Sequence, residues 1–173
     1  MTAPLTAPGF IPRPRGLTDR NGVRVSPATL GRLVREVAEA GQWRDIAMFC
    51  TDERWFQRLE LTANYEIWLL TWLPGQHTGF HDHGEAAGAF TVAQGSMLET
   101  LARPGRRQVR RRPAAEGTVR MFGPEHLHDV ANATSTPAVS VHAYSPPLTA
   151  MRRYAMTDGG LTVARTDHAG LDW

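Results

Sequence analysis

From about residue 54 the chain breaks into short segments rich in aromatic and β-branched residues and punctuated by Gly and Pro. They are YEIWLLTWLP, GAFTVAQG, SMLETLA, RQVRRRP, GTVRMFG, HDVANA and AVSVHAYSPP. Many short strands with close turn signals predict a mainly β sandwich or barrel. Helix signals lie only ahead of them. Ser26 can N-cap, Pro27 fits the first helical position, and Leu30, Leu33, Val34 and Val37 recur at helical spacing before Gly41. A shorter helix is expected over WRDIAMFC. Residues 1–22 are rich in Pro, Gly and Arg and read as an irregular lead-in. The expectation is one domain over 23–173, with a helical cap at about 26–50 and the barrel at about 54–153.

Composition excludes several classes. Of the 173 residues 42% are hydrophobic and 21% charged, the balance of an ordinary globular chain able to bury a core. A net charge of +2 gives no footing for a nucleic-acid partner. Six Arg crowd into residues 103–112 without interleaved aromatics, which reads as a solvated hairpin. With one cysteine, Cys50, no intrachain disulfide can form. No apolar run approaches the ~20 residues that span a bilayer, and prolines interrupt the N-terminus where a signal peptide needs a continuous apolar stretch. A cytoplasmic monomer without membrane or nucleic-acid partners is expected.

The chemistry concentrates in PGQHTGFHDHGEAAGAFTVAQG, residues 74–95. In an extended chain, residues i and i+2 share a face, so His81 and His83 can aim at one point while Asp82 faces away. Neutral imidazoles suit Zn, Fe, Cu or Ni, and a metal needs a further ligand from elsewhere in the fold. A lone His-x-His is a weak signal. Ser140, His142 and Tyr144 alternate with Val141 and Ala143, so three polar groups share one strand face. Inside a barrel they need partners, and a hydrogen-bonded Ser–His–Tyr chain supplies them.

The glycine frame around His81 and His83, with FGPEHLHDVAN further on, resembles the cupin superfamily, whose small jelly-roll β-barrel holds a metal inside. The usual glutamate of the first cupin box is missing, since Ala87 and Gly88 stand there. The resemblance then implies three histidines, His81, His83 and His128. His126 has the same parity as His128 and is the competing third ligand; the spacing to Asn132 favours His128. HDHG…GAF…G, LHDVAN and PAVSVHAYSPP together resemble the cysteine dioxygenase family of thiol dioxygenases, over about residues 53–153.

That resemblance implies mononuclear Fe(II) on the three histidines, with L-cysteine and O2 as partners and cysteine sulfinate as product. It implies that Tyr144 orients substrate and O2, fixed by His142 and Ser140. It further implies that Arg58, in WFQRLEL, clasps the substrate carboxylate, with Phe56 beside it where some members carry Tyr. Gly88 stands where some members carry a Cys crosslinked to the Tyr, so Tyr144 is expected as a free phenol. Phe56 leaves another small thiol acid, such as 3-mercaptopropionate, as an alternative substrate. A metal-holding, non-catalytic cupin that binds a small ligand is the alternative of a different class.

Overall fold

The computed structural model describes residues 22–170. Helix α1 spans Pro27–Ala40, N-capped by the Ser26 side chain on the Thr29 amide and ended by Gly41 in the left-handed region at φ 74°. The second helix expected over WRDIAMFC shrinks to one 3-10 turn, Gln42–Asp45. The carbonyls that a helix would use are taken elsewhere: Met48 accepts from Thr71 and Cys50 from Gln76.

Ten strands follow: β1 Phe56–Leu61, β2 Glu66–Trp72, β3 Ala87–Gln94, β4 Ser96–Leu101, β5 Arg110–Ala115, β6 Val119–Phe122, β7 His128–Ala131, β8 Ala138–Ser145, β9 Ala150–Thr157 and β10 Gly160–His168. The β9–β10 hairpin carries the strands well past the expected end near residue 153. One sheet has the order β1-β2-β8-β3-β6, all antiparallel. Facing it are β5-β4-β7 and β10-β9. Residues 77–81 knit these two pieces together, because His81 bridges both His128 at the head of β7 and Arg153 on β9.

Strand β8 is buried along its whole length, and its alternation explains why. Val139, Val141 and Ala143 join Ile67, Leu69 and Ala89 beneath Leu30, Leu33, Val34 and Val37 of α1. The opposite face, with Ala138 and Tyr144, meets Trp72, Phe90, Met97, Phe122 and Val130 between the sheets. Ser140 and His142 lie on that inner face, fully buried. The helix thus seals the outside of the five-stranded sheet, and the polar residues of β8 are left inside the barrel. No described helix is long and apolar enough to cross a membrane.

Candidate metal centre and substrate pocket

His81, His83 and His128 are all buried, and each offers a ring nitrogen within 4.8 Å of the others. His81 and His128 face one another as a bridged pair, joined by reciprocal backbone hydrogen bonds of 2.9 and 3.0 Å. His83 lies on the loop past this bridge, not in a regular strand. Asp82 turns away as the alternation requires. Its carboxylate takes the Gly84 amide on one oxygen, and on the other Arg152 Nε at 2.8 Å and the Tyr154 hydroxyl at 2.6 Å. That buckle fixes the segment between the two histidines.

The free nitrogens are set by what the other nitrogens touch. His81 Nδ1 donates to the Gly79 carbonyl at 2.9 Å, and His128 Nδ1 donates to Glu99 Oε1 at 3.0 Å. Nε2 of each is left to face the cluster. His83 is buried, with no partner on either nitrogen among the described residues. Three buried imidazoles converging with open lone pairs fit a divalent metal. Burial, then the neighbouring histidines, holds the pKa of His81 and His83 well below the ordinary value, and burial lowers that of His128 too. All three are therefore neutral, as ligands must be.

Behind them stands a carboxylate. Glu99 on β4 is buried, takes His126 Nε2 as well as His128 Nδ1 at 3.0 Å, and lies 3.7 Å from both Arg112 and Arg120. Burial works to raise its pKa, but the hydrogen bonds from His126 and His128 outweigh it and hold it at about 2. His126 is thereby engaged with Glu99 and stacked on Phe122 at 4.4 Å, and it does not join His81 and His83.

On the facing sheet, Ser140 Oγ lies 2.8 Å from His142 Nε2, and the Tyr144 hydroxyl 3.3 Å from His142 Nδ1. Trp72 Nε1, which can only donate, reaches Ser140 Oγ at 2.8 Å. The serine's own proton then goes to His142 Nε2, which puts the imidazole proton on Nδ1, toward the tyrosine oxygen. In that tautomer the phenolic proton remains free to be donated into the cavity. Burial holds His142 neutral, with its pKa at about 3, and burial followed by the charge of Glu66 raises that of Tyr144. The Tyr144 ring lies 4.8 Å from that of His83.

A cavity of about 190 Å³ opens onto His81, His128, His142 and Tyr144, walled by Phe56, Trp68, Leu148 and Met151. Arg54 and Arg153 line it. Arg58 does not: it stacks over Trp68 at 5.4 Å and pairs with Glu66 at 3.7 Å, with nearly half its side chain exposed. Arg54 lies over the Trp72 ring at 4.7 Å, with a buried Nε that has no partner among the described residues. Burial, then the charge of Arg153, lowers its pKa to about 10. Residues 54, 56 and 58 share one strand parity, so a motif matched by residue type can slide between them without changing face. Sequence reasoning missed Arg54, Arg153 and Glu99. Only Glu99 left a signal, a carboxylate at the buried parity of β4 beside Met97.

Two packed sheets enclosing a three-histidine cluster define a cupin-type barrel. Solved structures share the fold: one is the TT1209 protein of Thermus thermophilus (TM-score 0.55, 16% identity, covering 61% of this chain and 95% of that one). A second is an RmlC-like cupin protein of Desulfovibrio desulfuricans (TM-score 0.51, 19% identity, 59% and 91% covered). At the sequence level, residues 30–157 match the family described as cysteine dioxygenase type I, and the chain belongs to that family. It is 29% identical over 109 residues to the cysteine dioxygenase type 1 of Danio rerio, covering 58% of this chain and 54% of the relative. The chain thus spans about half the length of that curated relative.

Proposed function

We propose that this chain is an iron(II)-dependent thiol dioxygenase that converts a small carboxylate-bearing thiol, L-cysteine first among them, to its sulfinate. The observation that carries the reading is one cavity that opens onto His81 and His128 of the three-histidine cluster, the phenol of Tyr144 and the guanidinium of Arg54. Iron on the three histidines would acidify the thiol and let electrons pass from sulfur to O2. The balance is simple: the sulfur is oxidised, O2 is reduced, both oxygen atoms end on sulfur and the thiol proton leaves.

The residues of the chain do the rest. Arg54 meets the carboxylate, a bidentate pair that fixes the substrate's orientation. Phe56, Trp68, Leu148 and Met151 keep water away from the sulfur. Tyr144 offers its proton toward the oxygen side, held in place by His142, Ser140 and Trp72. Among the described residues, the only carboxylate lining the cavity, Asp167, is taken by Arg153 and Arg165. No lining acid among them is left to receive an ammonium, which favours 3-mercaptopropionate as a second reading. Oxygen uptake by the iron-loaded chain with each thiol is the test. Uptake matched by sulfinate is expected. A full iron site with no uptake would leave a ligand-binding cupin instead.

A further inference from the structure

Outside the inner cavity lies a second recess of about 450 Å³, walled by Gly79, Phe80, Tyr154 and Ala164. The two spaces share four residues: Arg54, Thr78, Arg153 and Arg165. Three arginines therefore form a collar on the wall common to both spaces, and Asp167 is the one carboxylate in the inner wall among the described residues. Asp167 divides itself, with one oxygen 2.6 Å from Arg153 Nε and the other 2.9 Å from Arg165 Nε. The collar keeps a net two positive charges.

Arg153 is the residue best placed to use that surplus. It stands across the bridge from His81, and its side chain is only 22% exposed. Of its five N–H groups, Nε serves Asp167 and Nη1 reaches the Thr78 carbonyl at 3.2 Å. The others have no hydrogen-bond partner among the described residues, and the residue lines both spaces. Like charges on one shared wall, with Arg54 and Arg153 both partly buried, are unfavourable until an anion sits between them. A thiol with a single carboxylate, taken by Arg54, neutralises only one of the two.

We propose that the collar is a second anion subsite and that the pocket selects thiols carrying two acidic groups, one held by Arg54 and the other by Arg153. The inference rests on the thiol dioxygenase reading for the reaction: the same thiol-to-sulfinate conversion with O2, sulfur oxidised, both oxygens retained and the thiol proton released. The anion subsite itself needs only the arginines.

The experiment separates the two. Calorimetry on the iron-loaded full chain without O2 compares succinate with propionate, sulfur-free acids with two carboxylates and one. Succinate is expected to bind about tenfold tighter or more, the worth of one added charge-assisted hydrogen-bonded pair. In Arg153→Gln that advantage should vanish. Arg153 and Arg165 each hold one oxygen of Asp167, so Arg165→Ala, a change at the exposed end of the collar that frees Asp167 equally, serves as the comparison: it should only shrink the advantage that Arg153→Gln abolishes. Equal affinities for succinate and propionate in the unaltered chain overturn the subsite. Oxygen uptake with mercaptosuccinate and 3-mercaptopropionate is then measured. A succinate preference with neither thiol consumed upholds the subsite and removes the dioxygenase reading. Consumption of both thiols at equal kcat/KM, with no succinate preference, does the reverse.

Discussion

Gly88 on β3 stands directly across the ladder from Tyr144 on β8, and a Cβ at Gly88 would come within 2.5 Å of the Phe122 ring and 3.0 Å of Tyr144 Cδ1. The Phe122 ring in turn stacks on His83 at 5.2 Å. Gly88→Ala should therefore push Phe122 onto the histidine cluster. Overpacking of this kind costs about 1–3 kcal/mol. A lowered urea midpoint together with weaker metal binding is expected. An unchanged midpoint would mean that the ring has room to move.

Arg54 and Arg58 make opposite predictions. Losing charge-assisted hydrogen bonds to a carboxylate costs about 1.5–3 kcal/mol, on the order of ten- to a hundredfold. Arg54→Ala should raise KM by that much, while Arg58→Ala, which removes a partner of the buried Glu66 outside the cavity lining, should move it little. Steady-state oxygen uptake on the two variants decides which arginine meets the substrate.

Tyr144→Phe keeps the ring against His83 and removes only the proton donor. The expected result is unaltered metal content with kcat reduced on the order of a hundred- to a thousandfold, the range for one positioned donor. Loss of metal in this variant would give the phenol a structural role instead.

Glu99→Gln addresses the outer carboxylate. It should leave His128 without its anionic partner, and changes of this kind weaken metal affinity roughly ten- to a hundredfold. Competition against a chelator reads this directly, without turnover.

Acid should loosen the metal-free fold well before the carboxylates titrate. His142 is held at about 3 in the folded chain by burial, against an ordinary value of 6.5. The unfolded chain therefore binds more protons below that value. Stability is full above pH 6.5 and is lost as the pH falls toward 3, at about 1.4 kcal/mol per pH unit for each such histidine. His81, His83 and His128 shift the same way. Glu99, held at about 2 against 4.5, contributes fully above 4.5 and begins to lose its share only as the pH falls from 4.5 toward 2. Urea unfolding at pH 7.5 and pH 5.0 should show the drop.

The sequence made the barrel and the helix legible because their signals are local: strand alternation, an N-cap, a terminal glycine. His81 and His83, two residues apart, and the β8 alternation of Ser140, His142 and Tyr144 survived for the same reason. Other features depended on tertiary hydrogen bonding and were not legible. WRDIAMFC carries helical composition, yet Thr71 and Gln76 claim its carbonyls. Arg54 and Arg58 share one parity, and only their tertiary partners distinguish them: Trp72 and the cavity for Arg54, Trp68 and Glu66 for Arg58. The arginine collar draws on residues 54, 153 and 165, which only the completed sheet brings together.

Dioxygenation of a thiol at the three-histidine centre is tested most directly by turnover of the iron-loaded chain under ¹⁸O₂, with the product weighed by mass spectrometry. The expected product is a sulfinate carrying two labelled oxygens in the native chain and none in His81→Ala. A product with one label or none, or equal turnover in His81→Ala, would contradict it.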